Sequence, residues 1–190
     1  MVFESNSIGR IRFFFARAGV RAYGVLLIAI VFSSGFSFAS DLKTKYAELE
    51  TLKTRRTSEV ADELAATALR ENDTNFRLAV LDQLAVLGYT RVIPAISSLL
   101  KDESVAMRQR TARVIGMLGG VEAENALVQA LVMETDTDVK AALLQGLSLC
   151  GSARSIQAIR AELENSRPEV RANAEGALRR IEAQNKQLKK

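Results

Sequence analysis

The sequence predicts an all-α fold, a right-handed α-solenoid of about four and a half helix pairs, and three observations carry that prediction. The first is a segment that recurs: NFRLAVLDQLAVLG from Asn75, AMRQRTARVIGMLG from Ala106, DVKAALLQGLSLCG from Asp138 and EVRANAEGALRRIE from Glu169. A fixed period of this size marks helix pairs stacked so that each buries its apolar face on the next. The second is register. Arg77, Arg108, Lys140 and Arg171 follow one another at spacings of 31, 32 and 31 residues, and the copies close on Leu87-Gly88, Leu118-Gly119 and Cys150-Gly151, with Ile181-Glu182 as a worn last copy. The third is composition. Apolar residues make up 48%, yet there is no tryptophan and there are only two prolines, so Ala and Leu supply the core, which suits closely packed helices rather than sheet.

Residues 1–39 read as an export segment. A basic start is followed by GVLLIAIVF (Gly24–Phe32) and a small-residue exit at Ser37 and Ala39, the parts of a secretory signal. The apolar run is short for a spanning helix, which needs about 20 residues. The length argument therefore favours export with cleavage, to a bacterial periplasm. The alternative is an uncleaved inner-membrane anchor over residues 22–39, with Arg17 and Arg21 held inside. The membrane enters the reading only through this segment. It also explains the basic overall charge: residues 1–39 hold four of the 26 basic residues and one of the 22 acidic ones, leaving 22 against 21. A nearly neutral remainder gives no electrostatic reason to expect nucleic acid.

Residues 40–72 read as a degenerate capping pair. DLKTKYAELETLKTRR carries Leu42, Tyr46, Leu49 and Leu52 on one helical stripe, which is also the expected surface for weak self-association. Thr57 or Ser58 caps the next helix, which turns Val60, Leu64 and Ala68 inward. Residues 73–182 are the solenoid proper. Asp73 caps a helix whose Phe76, Val80, Leu84 and Leu87 face the core, and Gly88 ends it in a left-handed turn. A second helix starts near Arg91 and buries Ile93, Ile96 and Leu100. Further pairs run from Asp102 to about Glu134 and from about Asp136 to Asn165. Second-helix positions recur as Ala95, Ala126, Ala158; Ile96, Leu127, Ile159; and Leu100, Leu131, Leu163, and the alanines are expected to let neighbouring helices approach closely. A last helix begins near Pro168, and residues 183–190 form a polar basic tail expected to fray.

The Phe76-Arg77, Met107-Arg108, Val139-Lys140 and Val170-Arg171 pairs, the run Val114-Ile115-Gly116-Met117-Leu118-Gly119 and the IPAISSLL run after Gly88 resemble HEAT repeats of the short, phycobilisome-lyase-like type. The resemblance implies a structural role for the basic column, each side chain reaching an acid near the preceding loop, such as Asp73, Asp102 or Asp136. It implies no particular activity, because such repeats occur in scaffolds, adaptors and a few enzymes. Deoxyhypusine hydroxylase, built from similar repeats, holds iron through His-Glu motifs, and this chain has no histidine. That absence also excludes His-based triads and argues against a zinc site. No cofactor is expected. The single cysteine, Cys150, stands in the column of Leu87, Leu118 and Ile181 and reads as a small apolar core residue.

The expected function is therefore a non-catalytic scaffold or adaptor in the cell envelope, binding a protein partner through the concave face that second helices line. Its candidate residues are Ser97 and Lys101 on one second helix, Val128, Gln129 and Val132 on the next, and Arg160 and Glu164 on the third. Val128 and Val132, one turn apart, form its apolar centre. The alternative is a lyase-like or other accessory enzyme acting on a bound small molecule.

Overall fold

In the computed structural model the described residues are 38–187. Most of the expected export segment, residues 1–37, lies outside them. Compactness divides the chain after Lys45. The described part of the first unit is the start of helix α1 (Phe38–Leu52), where Lys45 pairs with Asp41 at 2.8 Å, one turn apart; Ala39, the expected processing point, falls in the first turn of this helix.

The second unit is a succession of helices: the rest of α1, then α2 (Ser58–Arg70), α3 (Thr74–Leu87), α4 (Ile93–Ile96, flanked by 3₁₀ turns at Thr90–Val92 and Ser97–Lys101), α5 (Val105–Leu118), α6 (Gly120–Met133), α7 (Thr137–Cys150), α8 (Ile156–Ala161, continued by a 3₁₀ turn at Glu162–Glu164) and α9 (Pro168–Gln187). No strand occurs among the described residues. The starts follow from side chains that accept an otherwise orphaned N–H: Thr57 from Val60, Asp73 from Phe76, Ser104 from Met107, and Asp136 from Asp138 and Val139. Gly88 and Gly119 close α3 and α5 with φ of 74° and 75°, a conformation that favours glycine. Gly151 is different. Its φ is −68°, so no left-handed turn is needed there; glycine is required by space, since a Cβ would lie 2.5 Å from the Leu147 carbonyl oxygen and 2.8 Å from Ile181 Cδ1.

First helices α3, α5, α7 and α9 pack in one row, and second helices α2, α4, α6 and α8 in another. The expected core columns fill the space between: Phe76, Met107, Val139 and Val170 are buried, as are Leu84, Ile115, Leu147 and Leu178, then Ile96, Leu127 and Ile159. Leu87, expected in the core, is only half-buried. In α1, Tyr46 meets the Phe76 ring edge-on at 5.0 Å and Leu49 is buried. Leu42, Tyr46 and Leu52 of the same stripe are half-buried.

The alanine column is also corrected. Ala95 is exposed, and Ala126 and Ala158 are half-exposed. The closest approach falls between first helices, where a Cβ on Gly116 of α5 would strike the backbone of Gly146 of α7, and one on Gly146 would lie 2.7 Å from the Ala112 carbonyl oxygen. The odd spacing of 32 has a backbone cause. Six residues lead from Ile96 to Asp102 and from Ile159 to Asn165, where the second helix ends in 3₁₀ turns. Seven lead from Leu127 to Glu134, where α6 stays α-helical. A 3₁₀ turn rises about 2.0 Å per residue against about 1.5 Å in an α-helix, so fewer residues span the same layer.

At the far end α9 continues to Gln187, so residues 183–187 of the expected tail are helical. The positions that in α7 are Leu144 and Ser148 are Glu175 and Arg179 in α9, both exposed and joined by an ion pair at 3.5 Å.

Candidate functional site

The basic column is the feature most open to a ligand-binding reading, and the structure gives it internal partners. Arg77 donates from Nη2 to Asp102 Oδ2 at 2.6 Å and from Nε to the Ala68 carbonyl at 2.8 Å. Arg108 holds Glu134 at 2.9 Å and the Asp102 carbonyl at 2.9 Å. Lys140 reaches Glu162 at 2.5 Å, and Arg171 donates to the Asn165 carbonyl at 2.7 Å. The structural role holds, but its direction is corrected. The acid closes the following second helix rather than the preceding loop, which the arginines grip through its carbonyls. Arg77 and Arg108 therefore tie their own first helices to the segments on both sides, while Arg171 holds the preceding loop through Asn165 and Ser166.

The acids work twice. Asp102 accepts from the Ser104 N–H at 2.9 Å, and Glu134 accepts from Thr135 and Asp136 at 3.0 and 2.9 Å. Glu71 occupies the same place in the first loop, accepting from Asn72 at 2.7 Å, and Asn165 in the last, accepting from Arg167 at 3.0 Å. An amide cannot pair with Lys140 as a carboxylate does. The charge moves three residues back to Glu162, which Asn165 steadies at 2.7 Å. Burial pushes the Glu134 carboxyl up. The N–H of Asp136, the Arg108 guanidinium and the N–H of Thr135 outweigh it and hold the group below the ordinary carboxylate range.

A second buried carboxylate escaped the sequence reading. Glu124 of α6 stands where the neighbouring repeats carry Ile93 and Ile156, and it is buried. It accepts from Ser152 N at 2.7 Å, Ser152 Oγ at 2.9 Å and Ser155 N at 3.2 Å, and so organises the turn that starts the next second helix. Burial raises its carboxyl, and these donors more than compensate, leaving it below the usual range. The signal in the sequence was a charge in an isoleucine column, with two serines 28 and 31 residues on.

Cys150 is half-buried, and burial together with the nearby Glu124 charge pushes its thiol up to about 11. The thiolate is the reactive form, so modification at neutral pH is expected to be about a hundredfold slower in the folded chain than after denaturation, read by timed reaction with a chromogenic disulfide. Equal rates would refute the assigned environment. Among the described residues no group of three or more His, Cys, Asp or Glu could hold a metal ion, and no helix is long and apolar enough to cross a membrane. Gln83 Nε2 and Thr111 Oγ1 are buried with no hydrogen-bond partner.

The seven expected partner-binding residues lie on three successive second-helix segments. Lys101, Gln129, Val132, Arg160 and Glu164 are exposed, while Ser97 and Val128 are half-buried. The Ser97 hydroxyl is taken up by the Ile93 carbonyl at 2.6 Å, and Arg160 approaches Glu182 at 3.9 Å. Val132, 69% exposed, is joined not by Val128 but by Met133, at 77% the most exposed large apolar side chain among the described residues. Sequence reasoning missed Met133 because it is the residue added where α6 remains α-helical.

A stack of short helix pairs, knitted by one basic side chain per repeat, defines an α-helical repeat protein. The HEAT repeats family profile matches residues 61–148, so this stretch carries HEAT repeats. Its fold is similar to that in the complex of CpcE and CpcF of phycocyanin lyase from Nostoc sp. PCC7120, with a TM-score of 0.60 and 23% identity over 90% of this chain and 69% of that one. No curated protein matches the chain.

Proposed function

We propose that the protein is a non-catalytic adaptor that binds a protein partner through the second-helix row, at Ser97, Lys101, Val128, Gln129, Val132, Arg160 and Glu164, extended by Met133. The observation that carries this reading is the adjacent exposed pair Val132 and Met133, flanked by polar residues, a pattern of contact sites on soluble proteins. The charges with defined geometry are meanwhile spent between repeats. A row of this length fits a standard interface of roughly 800 Å² per partner. The adaptor acts in the cell envelope, after export directed by residues 1–39 or anchored through residues 22–39. Crosslinking and affinity capture from envelope fractions, with mass spectrometry, tests it. One dominant protein is expected, lost on Val132→Glu/Met133→Glu. Retention of that protein by the double variant would remove the site but keep the function.

The second reading, an accessory lyase acting on a bound small molecule, is favoured by one observation, the fold similarity to a phycocyanin lyase complex. Absence of any captured protein would move weight to it.

A further inference from the structure

Three exposed apolar side chains share one place in successive repeats. Val86, Met117 and Leu149 are the twelfth residues of the recurring segments in α3, α5 and α7, at 57%, 61% and 43% exposure. They belong to the first-helix row, not to the second-helix surface proposed above. The row keeps one register: Asp82 pairs with Arg110, and Gln145 Nε2 donates to Asn173 Oδ1 at 3.3 Å, each joining the eighth position of one segment to the fifth of the next. Equivalent positions therefore line up across the helices as a single file. Packed helices lie about 8–10 Å apart.

That spacing is close to two turns of an α-helix, about 10.5 Å, so an amphipathic helix lying across the row sets a residue against each member of the file. Charge states its character. Arg113, one turn before Met117, and Arg180, which continues the file in α9, are exposed and have no ion-pair partner among the described residues, whereas Asp82 is neutralised by Arg110. We infer that the Val86–Met117–Leu149 file is a second docking surface, and that its occupant is an acidic amphipathic helix of a partner protein with apolar residues two turns apart. An anionic membrane is the poorer fit, because lipid recognition of that kind uses clusters of about 4–8 basic residues.

The test is fluorescence anisotropy with the full chain and a labelled helical peptide of about 20 residues, with Leu every seventh position and Glu beside each Leu. Saturable binding is expected, weakened about tenfold or more by Met117→Glu/Leu149→Glu. It should transfer to a Lys-for-Glu peptide in Arg113→Glu/Arg180→Glu. Because all four side chains are exposed, melting curves should match the wild type. Val132→Glu/Met133→Glu should leave peptide binding intact, which separates this surface from the adaptor site. Equal binding by the Met117/Leu149 variant, or no preference between the two peptides, overturns the inference. So does binding to vesicles rich in anionic lipid, or concentration-dependent self-association, if either is abolished by Met117→Glu/Leu149→Glu while the peptide does not bind.

Discussion

Gly116→Ala is expected to lower stability by about 3 kcal/mol, seen as a fall in melting temperature of about 10 °C, and Gly146→Ala by a similar amount. A single methyl group on Gly116 would meet the Gly146 backbone, its carbonyl oxygen at 2.9 Å. Backbone cannot rotate aside as a long side chain can, so α5 and α7 would have to separate. That would also open the contact of Gly146 with Leu127, whose Cδ1 lies 3.0 Å from the site of a Cβ. Gly176→Ala is the control. It lies inside α9 with nothing within 4 Å of an added Cβ, so the same change there should stabilise by up to about 1 kcal/mol through helix propensity alone. Opposite signs at the two sites would establish the α5–α7 crossing. A neutral Gly116→Ala would mean that these helices do not approach as described.

Glu124→Leu is expected to cost about 3 kcal/mol, measured by urea unfolding. Leucine fits the isoleucine column in which Glu124 stands, so the loss does not come from packing. It comes from the backbone N–H groups of Ser152 and Ser155 and the Ser152 hydroxyl, which would lose their acceptor. The same group makes stability depend on pH. Its folded-state carboxyl titrates below the ordinary value of 4.5, so the unfolded chain takes up the proton first on acidification. The stabilisation is complete above about 4.5 and is lost as pH falls through the lower folded value. Glu124→Gln should flatten this acid limb without abolishing it, because Glu134 is shifted in the same direction. A Gln variant with an unchanged acid limb would show that Glu124 is not held as an ion.

Much of this was legible in the residues. The helix starts at Thr57, Asp73 and Asp136 could be read because a cap acts within three residues of itself. The turn at Gly88 could be read because a positive φ is a local demand. The buried columns through Met107, Ile115 and Leu127 followed from periodicity. The candidate surface was only partly legible. Val132 was identified, but Val128 turns half inward, and Met133 became visible only with the winding of α6 known.

The sequence by itself determined the repeat, its period and the all-α class, because these recur and rest on periodicity and caps that act within one or two turns. Only the tertiary structure decided where the helices touch. It moved the close approach from Ala126 to Gly116 and Gly146, turned Arg77 and Arg108 toward the acids that follow them, and placed Glu124 against the next turn. It also left Val86, Met117 and Leu149 uncovered in a file. Those outcomes depend on crossing geometry between residues about 30 positions apart, where a shift of one residue in a 3₁₀ or α-helical turn changes which side chain meets which.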